Sequence, residues 1–175
     1  EQRLLYPSMS AHQFDADVSK DGRYHCFVIS AISPQLVLVI KDLRRDKSQS
    51  AAVDQYEQGG ITTLKLTLDR AKVFKPKGAR STVRTPRIMP DSSRVVFTHS
   101  GPGGKQIASV DMQGGDLKKL TQSAGTNCWP AISPDGKRIA FSSSREGHFQ
   151  IYVMNADGSN VVSLGQQGYP TSWGG

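Results

Sequence analysis

The apolar residues of this chain fall into short runs that turn residues separate. The pattern is clearest between residues 126 and 164, where side chains alternate with a period of two over residues 138–143 and 151–154. A period of two is typical of β-strands. Both faces of these strands are apolar, which indicates inner strands packed between neighbours on either side. Because glycine, proline, aspartate, asparagine and serine lie between the runs, the pattern predicts an all-β protein.

Two turn signals divide this region into a four-stranded antiparallel unit. Pro134, Asp135 and Gly136 suit a tight turn, since proline fixes φ at an early position and glycine accepts the positive φ that closes a hairpin. Asp157 and Gly158 give a second hairpin signal. The four predicted strands cover residues 129–133, 138–143, 151–154 and 160–164.

The same unit recurs along the chain. Residues 85–97 repeat the pattern of residues 129–141, residues 16–24 begin a third copy, and residues 169–173 begin a fourth. A repeat of about 40 to 44 residues predicts the blades of a β-propeller. We therefore expect one propeller domain or partial propeller over residues 1–175. Its predicted parts are blades at about 14–68, 80–121 and 126–164, a partial blade at 168–175, and an irregular insertion or degenerate blade at 42–84.

The clearest copy resembles the repeat of TolB-like β-propellers. Trp-Pro-Ala-Ile-Ser-Pro-Asp-Gly-Lys-Arg-Ile-Ala-Phe at 129–141 and Gln-Ile-Tyr-Val-Met-Asn-Ala-Asp-Gly-Ser at 150–159 match it in order and spacing. The second copy has Ser92 in place of the turn glycine, and residues 42–84 depart from the pattern. The resemblance implies four-stranded blades, a periplasmic or extracellular location, and a non-catalytic role in binding proteins of the cell envelope. Similar propellers also precede serine peptidase or amidohydrolase domains, so the propeller of a longer enzyme is an alternative.

Three blades and one opening strand are too few for a ring, because a closed propeller needs at least about four blades. We expect further sequence or another copy of the chain to complete the ring. Otherwise, copies joined head to tail would form an extracellular polymer, since an open flank of strands promotes association. Self-association through the incomplete C-terminal blade is therefore a third functional hypothesis.

The net charge of +7 comes from one segment, residues 65–87. This basic segment contains eight basic residues and one acidic residue, whereas basic and acidic residues balance in the rest of the chain. Such an uneven distribution does not favour specific nucleic-acid binding. The segment is either a solvated loop or a docking site for an acidic partner, a lipid head group or a polyanion. Its basic residues are Lys65, Arg70, Lys72, Lys75, Lys77, Arg80, Arg84 and Arg87.

The best candidates for contacts with a protein partner lie in the loops that join one blade to the next and the second strand to the third. Arginine, tryptophan and tyrosine are enriched at the centres of protein interfaces. Trp129 and Tyr169 hold a repeat position, so packing between blades is the competing interpretation. The candidate residues are His99, Lys105, Asn127, Trp129, Arg145, Glu146, His148 and Tyr169.

No catalytic motif of the hydrolase, zinc peptidase or nucleotide-binding kind occurs in the sequence, so we expect no enzymatic activity and no cofactor. We also expect no metal site, although neighbouring blades could bring His99 and His148 together. Cys26 and Cys128 are expected to be free thiols, and Cys26 to be buried. No apolar run is long enough for a transmembrane segment, and residues 1–5 lack the features of a signal peptide.

Overall fold

The computed structural model describes residues 12–30, 36–44, 52–58, 61–67, 71–77 and 81–173. For residues 12–14, 30, 52–58 and 61–67 it describes the backbone only. The described residues form strands and turns, with no helix that could cross a membrane among them. The strands are β1 (His12–Val18), β2 (Tyr24–Ser30), β3 (Val37–Asp42), β4 (Ala52–Gln58), β5 (Ile61–Thr67), β6 (Lys72–Phe74), β7 (Thr82–Ile88), β8 (Arg94–Gly101), β9 (Gly104–Asp111), β10 (Lys118–Lys119), β11 (Asn127–Ile132), β12 (Arg138–Ser143), β13 (Gln150–Asn155) and β14 (Val162–Gln167).

Twelve of these strands form three four-stranded antiparallel sheets, which are the blades of a propeller. The first blade has the order β1-β2-β3-β6, the second β7-β8-β9-β10 and the third β11-β12-β13-β14. Strand β7 contacts both β1 and β11, so the first strand of each blade lies innermost. The described blades form an arc and are not closed into a ring. The predicted all-β propeller of four-stranded antiparallel blades is thus confirmed.

The first blade differs from the expected boundaries. Its fourth strand, β6, ends at Phe74, beyond the residue 68 at which the sequence placed the end of this blade. Strands β4 and β5 pair only with each other among the described residues and form a hairpin between the third and fourth strands. The segment at 42–84, expected to be an insertion or a degenerate blade, therefore contains this hairpin, the last strand of the first blade and the start of β7.

The core lies between the blades. Phe97 of the second blade packs with Phe74 of the first, with ring centroids 5.4 Å apart, and both rings are buried. On the other flank of the second blade, Ile107 packs with Ile139 and Phe141 of the third blade. The predicted alternation along β12 is confirmed, because Ile139 and Phe141 share one cluster while Ala140 does not belong to it.

Each innermost strand carries a bulge at the same repeat position. Asp15, Thr85 and Trp129 have φ values of 42°, 48° and 55°, and the pairing register shifts beside each of them. A positive φ is unusual for residues other than glycine. A bulge takes the residue at this position out of the regular alternation of the strand.

Candidate interaction surface at the mouth of the propeller axis

Consecutive blades bring equivalent residues together at one end of the axis. Trp129 occupies the bulge of β11, and Tyr169 holds the corresponding place at the start of the fourth repeat, since each precedes a proline. The backbone N–H of Trp129 donates a hydrogen bond to Thr98 Oγ1 of the second blade at 3.2 Å. This contact fixes the Trp129 backbone against the neighbouring blade.

Three aromatic rings form what we call the mouth cluster: Trp129, Phe149 and Tyr169. The Trp129 ring lies 4.3 Å from Tyr169 and 5.6 Å from Phe149, and Phe149 and Tyr169 are also 5.6 Å apart. Edge-to-face contacts at such distances stabilise an aromatic cluster beyond the burial of its area. Trp129 and Tyr169 nevertheless remain 37% and 53% exposed. The cluster is therefore ordered by its own contacts and still open to solvent.

Hydrogen bonds from the third blade hold this cluster in place. The Ser142 hydroxyl donates to Gly168 O at 2.7 Å, and Gly168 N donates to Phe149 O at 3.2 Å. At the far end of the same segment, Trp173 Nε1 donates to Ala131 O at 2.9 Å. The segment that carries Tyr169 is thus anchored on both sides of the cluster.

Arg145 and Glu146 are fixed next to the mouth cluster, in the turn between β12 and β13. The Arg145 guanidinium lies 4.3 Å from the Tyr152 ring centroid, and its Nη2 donates to Asn127 Oδ1 at 3.1 Å. The Tyr152 hydroxyl donates to Glu146 Oε1 at 2.7 Å. His148 Nε2 lies within hydrogen-bond distance, 2.8 Å, of Gln150 Nε2, and the His148 side chain is exposed.

Asn127 lies inside the protein rather than on this surface. Its side chain is fully buried, and its Nδ2 donates to Gln106 Oε1 at 3.0 Å. Gln106 Oε1 also accepts from Thr121 Oγ1 at 2.8 Å. A buried amide with these partners joins the second and third blades, and it does not offer a contact to a partner in this conformation.

A sequence profile of the TolB beta propeller domain matches residues 17–172. The chain belongs to this family. No curated protein matches the sequence at a significant level.

Solved structures show the same fold for this TolB-type propeller. It is similar to a protein of Agrobacterium tumefaciens assigned as TolB, with a TM-score of 0.52 and 18% identity over 90% of this chain and 68% of that one. It is also similar to a chain of the nidogen/laminin complex, with a TM-score of 0.57 and 13% identity over 93% of this chain and 52% of that one. The propeller domain of the Trilobed protease from Pyrococcus furiosus has a TM-score of 0.59 and 13% identity over 87% of this chain and 41% of that one. This chain therefore spans about two thirds of the first and about half or less of the other two.

The structure distributes the basic segment of this TolB-type propeller over several places. Lys72 is exposed on the outermost strand of the first blade, whereas Arg84 and Arg87 belong to the innermost strand of the second. Arg84 Nη1 lies 3.7 Å from Asp15 Oδ2. Arg70, Arg80 and the Lys65 side chain lie outside the described residues.

His99 and Lys105 lie on paired strands but differ in their exposure to solvent. Lys105 is exposed on β9. His99 lines a cleft on the flank of the second blade together with Lys75 and Lys77 of the basic segment. Burial, followed by the nearby Lys119 ammonium, lowers the pKa of His99 below its ordinary value.

The opposite end of the axis has its own cleft, of about 360 Å³. Its lining includes Asp17, Arg87, Ala131 and Trp173, which come from four consecutive repeats. Asp17 Oδ2 accepts a hydrogen bond of 2.8 Å from Ile88 N, so this carboxylate is engaged between two blades.

Both cysteines are free and buried. Burial raises the pKa of the Cys128 thiol to about 12, and it raises the pKa of Cys26 as well. Within the described ranges, no three histidine, cysteine, aspartate or glutamate side chains meet in a group that could hold a metal ion. Asp135, a predicted turn residue, accepts hydrogen bonds from Ser133 Oγ and Lys137 N within its own turn.

Phe149 is the member of the mouth cluster that is not among the candidates predicted from the sequence. It follows His148 in the turn between β12 and β13, on the face where the candidate residues were expected. An aromatic residue in that turn was the available signal. Its packing against Trp129 and Tyr169 depends on residues 20 positions or more away, which the repeat pattern alone did not indicate.

Proposed function

We propose that this chain is a non-catalytic, protein-binding TolB-like propeller of the periplasm or the extracellular space. The observation that carries the proposal is the mouth cluster, in which Trp129 and Tyr169 are held in place but remain 37% and 53% exposed. Ordered aromatic side chains bind partners well, because little side-chain entropy is lost when a partner covers them. The location rests on the family.

The polar surroundings of the mouth cluster support a protein partner. Glu146 and His148 are exposed beside the rings, so an apolar centre has a polar rim. This arrangement is typical of protein interfaces. Arg145 is tied to Ser143 Oγ at 2.9 Å and to Asn127, and Glu146 to the Tyr152 hydroxyl, so both side chains serve to shape the surface.

The alternative is the propeller portion of a longer enzyme. It is favoured by the shared fold with the propeller domain of the Trilobed protease, of which this chain spans 41%. In that case the mouth cluster would contact a catalytic domain of the same polypeptide. A subunit of an extracellular polymer is the third possibility, supported by the exposed Val162 and Leu164 on the outermost strand β14.

Site-specific photo-crosslinking in the producing cells distinguishes these functions. A photoreactive phenylalanine analogue replaces Phe149, and a matched control replaces Asp157, which is exposed in the turn between β13 and β14 at the other end of the blade. We expect a discrete adduct with a different protein from position 149 and none from position 157. An adduct with a second copy of this chain would instead indicate a polymer. A crosslink within one longer polypeptide would indicate the propeller of an enzyme. Equal adducts from both positions would refute a specific surface at the mouth.

A further inference from the structure

The flank of the second blade carries a cleft of about 560 Å³, separate from the mouth cluster. It begins next to β6, which has only three residues, whereas the equivalent outermost strand β14 has six. No described strand of the first blade therefore continues along the second blade beyond Phe74. The residues that line this flank cleft are Phe74, Lys75, Lys77, His99 and Lys119, together with the turns that contain Gly101 and Gly114.

Three lysines give the flank cleft a strong positive charge. Lys75, Lys77 and Lys119 are exposed, and no carboxylate among the described residues lies within ion-pair distance of them. Asp116 also lines the cleft, but it is already paired with Arg94 at 2.7 Å and Lys118 at 3.3 Å. The described carboxylates thus leave the positive charge of these three lysines unneutralised.

His99 adds a polar group that lacks a partner. Its Nε2 is shielded from solvent and forms no hydrogen bond. A shielded nitrogen without a hydrogen bond is unfavourable, and such a group in a native structure calls for an explanation. A bound anion would provide one once the His99 ring turns this nitrogen toward the cleft.

The shape of the flank cleft limits the size of a ligand. Its volume lies within the range of small-molecule sites, about 300–1,000 Å³. Its floor is apolar where Phe74 packs on Phe97. Four glycines, at 101, 104, 114 and 115, line the walls together with the side chains of Pro102, Gln106 and Leu117. A ligand that suits this lining has a small body and several negative charges.

We propose that the flank cleft binds a small polyvalent anion through Lys75, Lys77 and Lys119, with His99 as a hydrogen-bonding partner. The ligand class is a small molecule with two or more carboxylate or phosphate groups. This site is independent of the proposed protein-binding function, since it shares no residue with the mouth cluster.

The test measures binding of citrate and of inorganic pyrophosphate to the 175-residue chain by calorimetry, at constant ionic strength. The two anions distinguish carboxylate from phosphate recognition. The cleft variant Lys75→Gln/Lys119→Gln is compared with Lys20→Gln/Lys137→Gln, which removes the same charge from exposed lysines elsewhere. We expect saturable binding of at least one anion, weakened about tenfold or more in the cleft variant and about twofold or less in the control.

A second readout follows the His99 ring by proton NMR, with its signal assigned by its loss in His99→Gln. We expect this signal to move during the titration while the signals of His25 and His148 stay in place. Unchanged urea midpoints would show that the variants are folded. The proposal is overturned if neither anion binds, if both lysine variants weaken binding equally, or if the His99 signal does not move. Binding of polyglutamate without binding of either small anion would also overturn it.

Discussion

The carboxylate of Asp17 accepts a hydrogen bond of 2.8 Å from the backbone N–H of Ile88, a residue 71 positions later in the chain. The contact joins the innermost strands of the first two blades. Asp15 makes a parallel contact two residues earlier, since its Oδ2 accepts from Thr85 N at 3.0 Å. The two carboxylates of the first blade thus accept hydrogen bonds from backbone N–H groups of the second blade, near the axis.

Removing the Asp17 acceptor should destabilise the joint between these blades. We expect Asp17→Ala to lower the free energy of unfolding by about 1–2 kcal/mol, because it leaves the Ile88 N–H without this partner. Asp17→Asn keeps an acceptor oxygen of similar shape and should cost less. Urea denaturation of the three proteins measures the effect. Equal stability of the wild type and Asp17→Ala would show that the hydrogen bond contributes nothing.

Gly158 should be much less tolerant of substitution than Gly147, although their φ values are alike at 91° and 94°. A Cβ at Gly158 would lie 2.7 Å from Leu120 O of the second blade, whereas a Cβ at Gly147 would meet nothing within 4 Å. Both Gly→Ala changes strain the backbone, but only the first creates a clash between blades.

We expect Gly158→Ala to be less stable than Gly147→Ala by about 1–3 kcal/mol, the usual cost of overpacking. Comparing the two variants by urea denaturation cancels the shared backbone strain. A difference near zero would mean that the third blade can move away from Leu120 without cost.

Stability should decrease as the pH falls below neutrality, because the charged form of two histidines is less favourable in the folded protein than in the unfolded chain. Burial lowers the pKa of His25, and the nearby Lys41 ammonium lowers it further. Burial and the Lys119 ammonium likewise lower the pKa of His99. The unfolded chain takes up protons near pH 6.5, and the folded chain does so only at lower pH, so acid favours unfolding in this window.

The measurement is the urea midpoint between pH values of about 7.5 and 5.5, above the range in which aspartates titrate. We expect His25→Gln/His99→Gln to lose less stability over this range than the wild type does. His148→Gln serves as a control at an exposed position. If wild type and double variant lose the same amount, other groups control the pH dependence.

The two thiols should be inert in the folded protein. Cys26 and Cys128 are 0% and 3% exposed, and the raised pKa values keep both in the unreactive thiol form. We expect alkylation by iodoacetamide to be at least about 100-fold slower in the native chain than in urea, as followed by mass spectrometry. Rapid labelling without denaturant would show that the blades open readily around these residues.

Local sequence signals predicted the third blade well and the first blade less well. Strand β12 has the predicted bounds, because its alternation and the Pro-Asp-Gly turn before it are both local signals. Strand β14 runs from Val162 rather than 160, since the turn with Asn160 at φ 53° takes up the residues before it. Strand β6 was missed because three residues carry no periodicity, and its position follows from pairing with β3.

The candidate surface was predicted in part, for a similar reason. Trp129 and Tyr169 stood out as repeat positions, and the structure places both beside Phe149 at the mouth. Asn127 belongs to the same region of the sequence, but its side chain points into the joint between blades. The residue type alone made Asn127 a candidate for an interface. Its burial depends on contacts with Gln106 and Ser123, which no local sequence pattern indicates.

The most direct test of the central claim is the yield of the crosslinked adduct from position 149 when the other two rings are removed. We expect Trp129→Ala/Tyr169→Ala to reduce the yield of the partner adduct about tenfold or more, because these rings supply the apolar centre of the interface. Val162→Ser/Leu164→Ser, which removes exposed apolar side chains from β14, should leave it unchanged. An undiminished adduct in the folded Trp129→Ala/Tyr169→Ala variant would contradict the assignment of the mouth cluster as the binding surface.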